Sequence, residues 1–310
     1  MAEFRQKVIN HIKSLQLKIT TSLEELEGKP FTHEQWQRPD DHGQGQVNII
    51  QNGDLFEKAG VNYTEIDLPL SKTLATYMAE RGKNIQPDHI SSYSLFAVGV
   101  SLVLHPKNPN IPTIHANYRY LELTLNNELQ DWWFAGGTDL TPYYLDESDC
   151  ISFHSSLKEA CSILNPEFYN KHKKECDEYF LIKHRKMTRG IGGIFFDDVN
   201  EFEPDLLIEF QRLCVDALVK TYGDMVLKHR FDEYSKEMRR WQKIRRGHYV
   251  EFNIAYDRGT KFGLVTPDSN IEAILMPCPL KARWEYKYQI VEGSEEDRLV
   301  QVLKNPREWV

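Results

Sequence analysis

The stretch that most restricts how this chain can fold is residues 91–136. Its first apolar run alternates with the period of a β-strand, placing Val98, Val100, Leu102 and Leu104 on one face and Gly99, Ser101, Val103 and His105 on the other. His105 thus belongs to the small, polar side. The residues PKNPNIP mark a connection, and a second run resumes at Thr113 with His115, Asn117 and Arg119 at alternate positions. A solvent-facing strand can carry such a pattern, but Ile114, Ala116, Tyr118 and Tyr120 make a mixed opposite face. Three specific hydrogen-bonding side chains in a row then point to a ligand-facing surface.

With 310 residues, 41% hydrophobic and 12% aromatic, the chain can bury a substantial core as one large domain or two small ones. The net charge of −8 argues against a general field for nucleic acid or anionic membrane, so an anionic ligand must be captured by local basic groups. The five cysteines, Cys150, Cys161, Cys176, Cys214 and Cys278, are odd in number and never spaced CxxC, which suits free thiols in a reducing compartment. No segment approaches the roughly 20 apolar residues of a membrane span, and the N-terminus lacks a signal-peptide core. Acidic residues at Glu3, Glu24, Glu25 and Glu27 argue against a mitochondrial presequence. These features predict a cytoplasmic protein without integral membrane association.

Along the chain, residues 3–27 predict an amphipathic helix with Phe4, Val8, Ile12, Leu15, Ile19, Leu23 and Leu26 as its apolar stripe. The turn-rich stretch 28–54 reads as a connection into the strand QVNII, and KTLATYMAERG as a helix ending at Gly82. Ser156 and Glu159 have capping-box spacing, which would put His154 at a helix mouth. Asn165-Pro166 opens a helix predicted to carry Cys176, Phe180 and His184 on one face. IGGIFFDD reads as a strand on which Asp197 and Asp198 point to opposite faces, followed by a helix that Gly223 ends. Residues 227–246 read as a basic, solvated or interface helix, YVEFNIAY as a strand turning through DRGT, and SEEDRLVQVLKNPREW as a closing short helix. The pattern as a whole predicts an α+β protein of one domain, 1–310, with a large, mainly antiparallel sheet.

Several long strings occur in order over most of the chain: FEKAGVN, GVSLVLHP, PTIHANYRY, WWFAGGTDLTPYYL, RGIGGIFFDD, YVEFNIAYDRGTKFGL and ILMPCPLKARWEY. Together they resemble the oxygen-dependent coproporphyrinogen III oxidase family. The resemblance implies a sheet flanked by helices on both faces and a homodimer. It also implies oxidative decarboxylation of two propionates of coproporphyrinogen III to vinyls, giving protoporphyrinogen IX, with O2 as co-substrate and release of CO2 and H2O2. The reduced pyrrole supplies its own electron-rich system, so no cofactor is required, and no flavin, haem or nicotinamide motif is visible.

Holding a tetracarboxylate calls for arginine, whose planar fork pairs bidentately with carboxylate. Arg119 and Arg258 are the candidates, with Ser101 and Asn117 as neutral partners; the lesser alternative is that Arg258 only pins its own turn. With the resemblance, Asp139 of GGTDLTP becomes the group that polarises the substrate pyrroles and His115 the proton-transfer group, with Arg119 as their catalytic neighbour. From the residues alone, Asp139 reads equally well as a turn cap. Replacing it by Asn is expected to lower kcat with the fold retained. His105, His115, His154 and His184 match four positions treated as a divalent-metal site in some bacterial members, though a metal-free enzyme is the preferred reading. A non-haem metal oxygenase and a non-catalytic tetrapyrrole carrier remain as competing classes. At Asp268 and Asn270 the family commonly has glycine and arginine, which predicts weaker substrate capture here, partly offset by Lys261 or Arg283.

Overall fold

The computed structural model describes residues 2–266 and 269–310. Six strands follow one another as an antiparallel meander: β1 (Thr32–Gln37), β2 (Gly43–Gln51), β3 (Phe56–Pro69), β4 (Tyr93–Pro106), β5 (Thr113–Leu125) and β6 (Glu128–Thr141). After the two-stranded pair β7 (Leu181–Ile182) and β8 (Met187–Thr188), strand β9 (Gly193–Val199) joins β6 to complete a seven-stranded sheet. The strand expected at QVNII is present within β2, and residues 32–37 of the expected connection pair with it as β1, so 32–51 is a hairpin. Its Gly, Gln and Asn content hid a pairing that runs from Thr32↔Ile49 to Gln37↔Gln44 at the sheet's exposed edge.

The alternation in β4 and β5 sorts the faces as the sequence predicts. Val98, Val100, Leu102 and Leu104 join Ile114, Ala116, Tyr118 and Tyr120 in the main core. That core is closed by α1 (Ala2–Glu27), whose Val8, Ile12, Leu15, Ile19 and Leu23 are all buried, and by α3 (Glu147–Cys161) and α5 (Pro204–His229). The opposite face receives α2 (Lys72–Glu80), which starts at the Ser71 cap and ends before Gly82 at φ 82°. Helices therefore flank both faces of this α+β fold.

Five local expectations change. α3 begins at Asp146, whose carboxylate accepts from the Asp149 amide, so His154 sits in mid-helix and not at a mouth, and Ser156 caps nothing. α4 (Phe168–Tyr179) stops before Phe180, so His184 lies beyond the helix that carries Cys176. α5 runs straight through Gly223 because Tyr222, Met225 and Val226 are held in the core, and burial outweighs the roughly 1 kcal/mol that a glycine costs a helix. The segment YVEFNIAY is helical, the end of α6 (Lys236–Ala255); Trp241, Arg245, Tyr249 and Phe252 recur every three to four residues and are buried. This helix is packed, not solvated. DRGTKFGLV likewise forms α7 (Arg258–Val265), capped by Asp257, rather than a turn and returning strand. α8 (Ile271–Ile274) and α9 (Glu295–Lys304) complete the described chain.

Candidate active site

The polar face of β3–β6 is the floor of a cleft of about 350 Å³, within the range of small-molecule sites. Strand register builds the floor row by row. One row runs Asn62, Ser101, Asn117, Gly137; the next runs Thr64, Gly99, Arg119, Ala135. Small residues beside each long one keep the floor low. A Cβ on Gly99 would lie 2.6 Å from Arg119 Cγ, so only glycine lets that arginine lie across β4. Met78 of α2 and Arg81, the C-cap that follows it, form one wall with Tyr179, Phe180, Phe195 and Asp197, and Arg258, Phe262, Ala273, Ile274 and Pro277 the roof.

The roof is tied to the sheet ends. Lys58 Nζ donates to the Cys278 carbonyl at 2.9 Å, His105 Nε2 lies 2.8 Å from the Pro277 carbonyl, and the Met276 sulfur occupies the notch left by Gly60.

In the third row, His115 opposes Asp139. His115 Nδ1 lies 2.7 Å from Asp139 Oδ1, so the ring donates there and turns Nε2 toward the cleft, 3.4 Å from Asn117 Nδ2. Asp139 is buried and is not part of the cleft lining; it stands behind His115. Its other partner is Arg189, whose Nη2 lies 2.8 and 2.9 Å from the two carboxylate oxygens. Burial pushes the Asp139 carboxyl up, but the Arg189 charge and the His115 hydrogen bond outweigh it, holding the group below the usual carboxylate range. Arg189 is itself buried among the rings of Phe180, Tyr249 and Phe252, 4.1, 4.5 and 4.9 Å from its guanidinium carbon, and donates to Asn253 Oδ1 at 3.0 Å. Among the described residues, three cleft atoms are buried without a protein partner: Asn62 Oδ1, Asn117 Oδ1 and Arg119 Nε. Such groups are costly unless a ligand satisfies them.

Of the residues predicted from sequence, Ser101, His115, Asn117, Arg119 and Arg258 line this one cleft. The four histidines do not meet. His105 is fully buried against Thr113 and the Pro277 carbonyl, and burial and the Arg246 charge keep it well below the usual imidazole range. His154, mid-helix in α3, contacts Tyr169 and the Ile191 carbonyl. His184 is held near the surface by Tyr256 and Glu251. The proposed ligand set therefore does not fit a metal ion. Among the described residues the one close group of three, Asp146, Asp149 and His229, is occupied by the Lys228 ammonium, 2.7 and 2.8 Å from the two carboxylates.

Across residues 7–309 the chain matches the family model described as Coproporphyrinogen III oxidase. It belongs to that family. Similar proteins include the oxygen-dependent coproporphyrinogen-III oxidase of Drosophila melanogaster, 48% identical over 96% of this chain and 76% of the relative. The mitochondrial enzyme of Mus musculus is 45% identical over 99% and 69% respectively, and the chloroplastic coproporphyrinogen-III oxidase 1 of Arabidopsis thaliana 43% over 96% and 78%.

Sequence reasoning missed Asn62 in the cleft and Arg189 behind it in this coproporphyrinogen oxidase family member. Arg189 opens the string RGIGGIFFDD, but nothing local announces that it will reach Asp139, 50 positions earlier. Asn62, at the end of FEKAGVN, needed only its strand register to be recognised. The Asn270 side chain accepts from the Ala273 amide and caps α8. Asp268 lies outside the described residues. Of the suggested compensating cations, Arg283 is taken up by Glu285 at 2.5 Å.

Proposed function

We infer that this protein is an oxygen-dependent coproporphyrinogen III oxidase. It converts two propionates of coproporphyrinogen III to vinyl groups, yielding protoporphyrinogen IX in haem and porphyrin biosynthesis. Each step balances as propionate plus O2 giving vinyl, CO2 and H2O2. The observation that carries the reading is family membership over nearly the whole chain, joined to a cleft whose orphaned polar atoms match a tetrapyrrole carrying N–H donors and carboxylates.

In this reading Arg119 and Arg258 pair with substrate carboxylates, and the amide oxygens of Asn62 and Asn117 accept from pyrrole N–H groups. Ser101 adds a neutral contact. His115 moves protons at Nε2, the nitrogen that Asp139 turns toward the cleft. Asp139 acts through His115, fixing its tautomer and stabilising the imidazolium, while Arg189 holds Asp139 ionised and aligned. This replaces direct polarisation of the pyrroles by Asp139, because the carboxylate is covered by the imidazole.

A single catalytic domain over residues 1–310 and turnover with O2 but without a bound cofactor belong to the same proposal. So does a homodimer, which the exposed edge strand β1 and its unpaired backbone groups favour. Cytoplasmic placement, proposed from the sequence, is supported by five free cysteines and by the lack, among the described residues, of any helix long and apolar enough to cross a membrane. The test is aerobic incubation of purified protein with coproporphyrinogen III, with and without chelator. Protoporphyrinogen IX should form in both; no product from a folded sample, or loss on chelation restored by one metal, would overturn the corresponding part.

A further inference from the structure

At one end of the cleft a carboxylate stands where only cations would be expected to greet an anionic substrate. Where β9 runs beside β6, a register shift between Phe134 and Gly136 and left-handed backbone at Asp198 (φ 57°) turn two successive carboxylates toward one cation. Arg81 Nη2 lies 2.8 Å from Asp197 Oδ1 and 2.6 Å from Asp198 Oδ2. Asp198 has a second cation in Lys83, 2.8 Å away. Asp197 instead lines the cleft, and its other oxygen lies 3.5 Å from Arg258 Nη2, beyond ordinary hydrogen-bond length. The Arg258 guanidinium is supported by the rings of Tyr179 and Phe195, at 4.9 and 5.5 Å, and its side chain is 39% exposed. Its orientation thus comes from stacking, and its donor fork is not consumed by Asp197.

We propose that Arg81, Asp197 and Arg258 form a second carboxylate station, apart from that at Arg119, in which Arg258 receives a propionate and Asp197 is the resident counter-ion of both arginines. This rests on the oxidase reading and deepens it. Arg119 pairs with Ala135, and Ala135 faces the bulge that carries Asp197, so the backbones of Arg119 and Asp197 lie roughly 10 Å apart, two strand spacings. A reaction that destroys the carboxylates it binds explains the counter-ion. Cations alone would be stranded beside a neutral vinyl group after decarboxylation, and a desolvated unpaired charge is costly. Asp197 keeps the station balanced when a vinyl group or nothing is present, and weakens capture of the propionate as a consequence.

The test uses the full chain. Steady-state kinetics with coproporphyrinogen III are combined with titration by coproporphyrin III, the oxidised, unreactive tetracarboxylate, at several NaCl concentrations. For Asp197→Asn, KM and the coproporphyrin Kd should fall about threefold to tenfold and become more sensitive to salt, since the station gains a net positive charge. For Arg258→Gln, both should rise about tenfold with reduced salt sensitivity and a much smaller change in kcat. Unchanged or weakened affinity in folded Asp197→Asn would make Asp197 scaffolding and overturn the proposal; so would unchanged KM and Kd in Arg258→Gln, a half-exposed position that decides the matter if the first variant does not fold. A wild-type chain that gives no protoporphyrinogen IX would refute the oxidase reading instead, while the coproporphyrin III titrations still judge the station.

Discussion

Asp139 serves two partners with different needs. Toward His115 it is an orienting acceptor; toward Arg189 it is the counter-ion of a guanidinium buried under three aromatic rings. This changes the outcome expected of Asp139→Asn. An amide keeps the shape but leaves Arg189 buried without its anion, and breaking a buried pair by removing one member costs about 3–5 kcal/mol. We therefore predict that Asp139→Asn loses both activity, by about 10²-fold or more in kcat, and stability in urea unfolding. Adding Arg189→Met should restore much of the stability but none of the activity, because it removes the stranded charge without returning an orienting carboxylate. A double variant no more stable than the single one would show that the pair is not what holds this region.

At the scale of elements, the site depends on where β4 omits side chains as much as on where β5 supplies them. Gly99→Ala puts a methyl group 2.6 Å from Arg119 Cγ and 3.1 Å from the Tyr118 carbonyl oxygen, so the arginine must leave its path across the floor. The expected result is a KM raised about tenfold or more, the worth of one charge-assisted contact, with the melting temperature nearly unchanged. Wild-type KM would mean that Arg119 reaches the substrate by another route. α6 shows why local pattern is a weaker guide than continuity. YVEFNIAY satisfies a period of two over eight residues, but the helix begins at the Ser235 cap and its three-to-four-residue spacing carries through the same residues. The α8 cap adds a second case: the role of Asn270 as acceptor for the Ala273 amide became visible only with the backbone in place.

The whole molecule stores an acid sensitivity in its histidines. His105 lies well below the ordinary imidazole value of 6.5, while His154 and His248 are pushed down to about 3 and His11 to about 4, in each case first by burial. These rings stay neutral in the fold but take up protons when unfolded, so their contribution to stability is complete above pH 6.5 and erodes as pH falls below it. The slope is at most about 1.4 kcal/mol per group per pH unit. His229, raised by Asp149 against a smaller burial penalty, works the other way, stabilising below 6.5 and losing its effect as pH rises. His172 is also held below 6.5, first by burial, so five rings stand against one and leave a net loss in acid. Urea midpoints should drop steadily from pH 7 to pH 5; a midpoint that holds or rises would show that these rings protonate within the fold.

How much of this was legible in advance follows from the range of the interactions. Period-two alternation in β4 and β5 is local, and by itself it determined which faces of those strands meet core and cleft, placing Ser101, His115, Asn117 and Arg119 together. The ordered family strings determined the chemistry in the same way. The dispersal of His105, His154 and His184 to three separate surroundings, the joining of Arg189 to Asp139, and the turning of Asp197 and Asp198 onto Arg81 were decided only by tertiary structure. Each depends on register between strands, on a bulge, or on a helix end that ring packing and buried charge select, and those forces act between residues tens to more than a hundred positions apart.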